Sequence, residues 1–128
     1  MTIPGDSSAS GPTSTGLPAN VAGALAYVLG PITGILFYIL EKDNRFVRFH
    51  AAQSIAISIT FMIVGFVIGL LSAVIAIIPI IGWLVGILVS FGLSIGGFVL
   101  WLFLMWQAFQ GLEWEAPLAG KWARKMSA

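Results

Sequence analysis

A chain of 128 residues with 59% hydrophobic residues, only 9% charged ones and a mean hydropathy of +1.01 has too little polar surface to coat a soluble globule. The absence of cysteine excludes disulfides and thiolate chemistry, and six basic residues against five acidic ones leave no electrostatic footprint for nucleic acid. Lipid is therefore the expected solvent for much of the chain.

Residues 1–16 are rich in Ser, Thr, Gly and Pro, a composition that buries too little to order itself, and read as a disordered polar tail. They lack the basic segment and adjacent apolar core of a signal peptide, so membrane insertion is expected to be directed by the first apolar helix. The membrane domain is read over residues 17–112 and a cytoplasmic tail over 113–128. Asn20 to Leu40 carries no charge and, as a helix, is about 31 Å long, close to the ~30 Å hydrocarbon thickness. Asn20 suits the N-cap, and Gly30-Pro31 is expected to bend the helix, with Thr33 or neighbouring helices satisfying the freed carbonyl.

Five of the chain's eleven charges then fall between Glu41 and Arg48, a charged loop between two uncharged apolar blocks. From Ala51 to Gln110 there is again no charge, and the block is too long for one crossing. Pro79 and Gly82 mark the cheapest reversal, with Trp83 as an interfacial anchor. The pattern predicts an all-α membrane protein with three transmembrane helices, at about 20–40, 51–78 and 83–109. All six basic residues lie in two groups, Lys42, Arg45 and Arg48, then Lys121, Arg124 and Lys125, while the N-terminal tail and the Pro79 turn have none. Three spans place both groups on one side, with the N-terminus outside and the C-terminus cytoplasmic in the cell membrane. Beyond Gly111, Leu118, Trp122 and Met126 recur at i, i+4 and i+8 with basic residues elsewhere on the turn. That suits a short helix on an anionic membrane surface; Gly120 equally allows a frayed tail.

Small residues recur at helical spacing. Gly65 and Gly69 follow Ser54 and Ser58 in the second span; Gly82, Gly86, Ser90 and Ser94 form one stripe in the third, and Gly92 and Gly96 another. Such faces let helix backbones approach closely, within this chain or between copies. Arg45, Arg48, His50, Gln53 and Ser54 gather at the start of the second span, with His50, Gln53 and Ser54 on one helical face. Two readings fit them: a polar recess for an anionic lipid headgroup or a peptide, or an interfacial helix end held by snorkelling and hydrogen bonds. One histidine, no cysteine and no carboxylate inside a span leave no catalytic constellation, metal cluster or cofactor site, so no enzyme activity and no cofactor are expected.

The segments Gly16-Leu-Pro-Ala-Asn-Val-Ala-Gly-Ala-Leu-Ala-Tyr27 and Glu41-Lys-Asp-Asn-Arg-Phe-Val-Arg-Phe-His-Ala-Ala-Gln-Ser54, with Ile78-Pro-Ile-Ile-Gly-Trp83 and Pro117-Leu-Ala-Gly120, resemble a family of small prokaryotic membrane proteins of unassigned function. That family is grouped with the Tic-twenty-like superfamily, named for a chloroplast inner-envelope protein-import component. The resemblance covers about residues 16–122 and implies that Glu41, Asn44, Arg45, Phe46, Val47, Arg48, Phe49, His50, Ala51, Gln53 and Ser54 form the family core. It implies an all-helical membrane protein and, through remote kinship, a subunit or accessory of a transport or translocation assembly. The alternative is a small membrane scaffold or regulatory partner without transport of its own. Expected partners are membrane lipids, further copies of the chain or another membrane protein.

Overall fold

The computed structural model describes residues 2–4, 7–117 and 119–127. Met1, Gly5, Asp6, Leu118 and Ala128 lie outside the described residues, and with them Leu118's place in the expected tail stripe. The elements are strand β1 (Thr2–Pro4), a 3-10 turn (Ser7–Ser10), and helices α1 (Ala19–Leu25), α2 (Pro31–Leu40), α3 (Arg45–Ile75) and α4 (Ile81–Phe109). Strand β2 (Leu112–Trp114) and helix α5 (Ala119–Ser127) follow.

Helices α3 and α4 form a long antiparallel pair, and both are long and apolar enough to cross a membrane. Asn44 starts α3 as its N-cap, its side chain accepting from Val47 N at 3.1 Å. Arg45 and Arg48 thus belong to the first turns of the helix rather than to a loop. The reversal between the helices falls at residues 76–80, where Pro79 was expected to place it. It is tight: a Cβ on Gly82 would fall on the Ile75 carbonyl, and Ile80 is forced to φ +67°, a rare conformation for a β-branched residue.

The expected first span is not one continuous helix but two short ones. α1 runs parallel to α3 and antiparallel to α4: a Cβ on Gly23 would lie 3.0 Å from Phe46 and 3.6 Å from Ala108, and Tyr27 reaches His50 and packs with Leu104. The chain then breaks over residues 26–30, with Gly30 at φ +60°, and α2 returns along α3. There Gly34 packs on Ser54 and Ala51, and Tyr38 lies beside Arg48. Gly30 sits at Ser58, about 20 Å along a helix of about 46 Å. The segment is a re-entrant hairpin, with its tip halfway along α3 and both ends at the basic end of the molecule. Asn20 Nδ2 donates to Phe109 O (2.9 Å) at one end, and Glu41 meets Ser14 at the other.

Among the described residues there are thus two long apolar candidate spans, and the third expected one is a hairpin of two short helices. The physical cause is Gly30-Pro31, expected to bend one helix: a positive-φ glycine followed by a proline at N1 instead ends one helix and starts another. The groups freed at the break are satisfied internally, as a non-helical stretch at membrane depth requires. Thr33 Oγ1 donates to Ala26 O (3.0 Å) and accepts from Leu29 N (3.1 Å), Ser54 Oγ donates to Gly30 O (2.9 Å), and Trp101 Nε1 donates to Tyr27 O (2.6 Å).

The two ends of the chain also lie together. β1 pairs antiparallel with β2, Ile3 opposite Glu113, so the N-terminal segment lies beside the C-terminal one and not at the far turn. The ladder, three residues a strand, is a small addition to an otherwise helical chain. In the polar tail, Ser14 N donates to both Glu41 carboxylate oxygens (3.0 and 2.9 Å), and Asn44 Nδ2 donates to Pro12 O (3.0 Å). Buried side chains concentrate at this basic end, in the first three turns of α3, α1, the end of α4 and α5. The outer halves of α3 and α4 are exposed, as lipid-facing helices are.

Candidate functional site

The segment from Glu41 to Ser54 is the centre of the basic end. Phe46, Val47, Phe49, His50, Ala51, Ala52 and Gln53 are all fully buried. Alternation of apolar and polar residues over the first turns of α3 places some side chains against α1 and α2 and others against β2 and α5. His50 lies in an aromatic enclosure, edge-on to Phe46, Phe49 and Tyr27 with ring centroids 4.6, 5.2 and 5.5 Å away.

The polar atoms of this enclosure form one directed network. His50 Nε2 lies 2.9 Å from Leu112 O, which only accepts, so Nε2 carries the proton and Nδ1 accepts from Tyr27 Oη at 2.7 Å. Tyr27 Oη in turn accepts from Gln53 Nε2 (3.0 Å), which also donates to Trp114 O (2.8 Å), while Gln53 Oε1 accepts from Ala116 N (3.0 Å). His50 and Gln53 thus satisfy the edge of β2 that faces α3, and β1 takes the other edge. Side chains of a helix stand in for a neighbouring strand, and in a dry interior each such bond spares a backbone group an uncompensated desolvation.

Two further clusters tie the ends together. Glu41 accepts from the backbone of Ser14, Asp43 and Asn44. Burial pushes its carboxyl up, but these hydrogen bonds, those from Ser14 foremost, outweigh it and hold the group below its ordinary value. Arg48 Nη1 donates to Glu41 O (2.8 Å) and Tyr38 O (3.2 Å), with its guanidinium over the Tyr38 ring. On the other side of α3, Arg124 of α5 lies over the Phe49 ring and bonds Glu115 (2.6 Å) and Glu113, while Tyr38 Oη donates to Met126 O (2.7 Å). The tail is therefore a packed helix. Gly120 is needed there because a Cβ would come within 2.6 Å of Glu115.

Of the candidate binding residues, the structure joins His50 and Gln53 through Tyr27, places Ser54 on the re-entrant tip, sets Arg48 against α2 and leaves Arg45 exposed. The three on one helical face point into the protein, where His50 and Gln53 are fully buried and Ser54 borders a cleft at the hairpin tip. Of the candidate packing glycines, Gly82 meets backbone at the turn. Gly65, Gly69, Gly86, Gly92 and Gly96 have no neighbour within 4 Å of a built Cβ, so the helix contact expected of them does not form within one chain. The spans meet instead where a Cβ on Gly97 would lie 2.5 Å from the Phe61 ring. Tyr27 and the Glu113–Arg124–Glu115 cluster were not singled out. A tyrosine inside an apolar run was the available signal, because its hydroxyl needs a partner there.

Similar proteins match this chain over most of their length. The chain is 43% identical to a UPF0132 membrane protein of Methanocaldococcus jannaschii over 117 residues, 91% of this chain and 96% of that one. It is 42% identical to a UPF0132 membrane protein of Archaeoglobus fulgidus over 101 residues, covering 79% and 87%, and 34% identical to a second M. jannaschii UPF0132 membrane protein over 110 residues, covering 86% and 71%. No solved structure matches. A family model matches residues 14–123, from the Ser14 that caps Glu41 to the Ala123 that seats α5 on α3, and the chain accordingly belongs to the magnetosome magnetite crystal formation protein family.

Proposed function

We propose that this membrane protein is a small scaffold: two spans that carry a rigid cap at the cytoplasmic face and present their outer halves to other membrane components. The observation that carries the reading is the buried network on His50, Gln53 and Tyr27, which commits the polar signature to holding the protein's own cap together. With all six basic residues at the cap end, the positive-inside rule favours a cytoplasmic cap, with both termini on that side. The unfilled faces around Gly65 and Gly69 on α3 and Gly86 on α4 suit close packing by a second copy or a membrane partner. The family's description speaks of magnetite crystal formation; a mineral-binding role is not part of this proposal, because Glu41, Glu113 and Glu115 are engaged within the cap.

The Tic-twenty-like resemblance and the re-entrant hairpin favour a second reading, a subunit of a transport assembly. A cleft of about 430 Å³ lies at the hairpin tip between Gly30, Ser54, Ser58, Ser94 and Trp101. Broken helices at membrane depth frame the sites of many transporters. Reconstitution into vesicles, with a photo-crosslinking residue at Gly86, separates the two. The scaffold reading expects crosslinks to a second copy or a membrane protein and no solute or ion flux above empty vesicles. Flux that a bulky residue at Ser94 blocks would overturn it in favour of transport.

A further inference from the structure

The outward face of α5 is not used by the cap. Ala119, Gly120, Ala123 and Ser127 are buried against the rest of the protein, which fixes the helix's rotation and turns Lys121, Trp122 and Lys125 outward, with Trp122 69% exposed. The acids nearest in sequence do not offset these lysines. Glu113 and Glu115 are both bound by Arg124 on the inner side, where burial depresses the guanidinium's charge affinity less than the two carboxylates raise it. The outward face is thus two cations, four residues apart, flanking a large aromatic ring.

Its height along the molecule is also fixed. Met126 O accepts from Tyr38 Oη and Arg124 covers Phe49, so α5 stands beside the first turns of α3 and the end of α2. On α2, Ile39 and Leu40 immediately follow Tyr38 and are 63% and 50% exposed, so apolar surface that needs hydrocarbon reaches this level. Lys42 and Asp43 lie just beyond, exposed. α5 therefore stands at the boundary between hydrocarbon and water, where a tryptophan ring is favoured and lysine stems reach the phosphates.

We propose that Lys121, Trp122 and Lys125 form a binding surface for the headgroups of anionic phospholipids in the leaflet around the cap. Each lysine supplies a point charge to a headgroup phosphate, and the indole fills the space between neighbouring glycerol backbones. A peripheral acidic protein is disfavoured as the occupant because exposed apolar surface at Ile39 and Leu40 stands at the same level and needs hydrocarbon around it.

The full chain is reconstituted in bilayers of phosphatidylcholine with and without phosphatidylglycerol, and retained lipids are counted by native mass spectrometry after release. The parent is expected to enrich phosphatidylglycerol above its bulk share, and inorganic phosphate added to the bilayer is expected not to compete. The double variant Lys121→Gln with Lys125→Gln is expected to lose that enrichment by on the order of tenfold. Lys121→Arg with Lys125→Arg should keep it, and Lys42→Gln, outside the face, should be unchanged. Thermal melts of all three check that the cap is folded. Equal enrichment in the parent and the Gln variant overturns the proposal, as does equal loss on changing Lys42. Displacement by inorganic phosphate would assign the face to a free anion instead of a lipid.

Discussion

His50 and Gln53 illustrate how far single residues can be read. Their common helical face was visible from spacing, but a polar face at a helix start is equally compatible with a recess and with a packed interior. The choice depends on β2, 62 residues after His50 at Leu112, and on Tyr27, 23 residues before it, and spacing says nothing about such partners. Gln53→Ala would leave Trp114 O and Ala116 N unpaired in the interior, and a cost of about 1–3 kcal/mol is expected. A lowered melting temperature and earlier proteolysis within residues 112–127 are the readouts; unchanged protection would mean the tail is not held by Gln53. Glu41 gives a pH signature. Because its folded carboxyl titrates below the ordinary 4.5, the stability it contributes is fully present above that value and is lost as pH falls through the folded one. Melting curves of the parent should fall in that acid window, and Glu41→Gln should be less stable at neutral pH and flatter with acid. A variant as acid-sensitive as the parent would place the titrating group elsewhere.

At the scale of elements, the long helices were legible because lipid imposes length and excludes charge, and the reversal near Pro79 followed from the same reasoning. The re-entrant hairpin was not. Its 21 residues match a bilayer thickness, and a Gly-Pro pair inside an apolar run marks a kink far more often than a full reversal. What decides between them is whether acceptors and donors wait at the tip, and here Thr33, Ser54 and Trp101 supply them. The glycine stripes are ambiguous in a similar way, since a small residue allows close approach without saying which helix approaches. The structure sorts them: Gly82→Ala should be strongly destabilising, because its Cβ falls on the Ile75 backbone of a turn already strained at Ile80. Gly69→Ala, with nothing nearby, should stay within about 0.5 kcal/mol, apart from any change in association between copies. Comparable losses in a monomeric detergent complex would contradict this placement of the hairpin turn.

At the scale of the whole molecule, the composition correctly assigned the chain to the membrane, and the grouping of basic residues correctly put both charged segments at one end. The N-terminal tail has no basic residue to indicate its side, and its position in the structure is set by bonds from Ser14 to Glu41 and from Asn44 to Pro12. Two spans with a re-entrant hairpin and three full spans differ by one crossing, so they differ in where the tail lies. Because the chain has no cysteine of its own, single cysteines can be introduced without background. Ser10→Cys, Asp43→Cys and Lys125→Cys should be protected from an impermeant maleimide in intact cells and labelled after permeabilisation. Ile77→Cys, at the far turn and 79% exposed, should label from outside at once. Labelling of Ser10→Cys together with Ile77→Cys in intact cells would contradict the re-entrant hairpin and restore a third crossing.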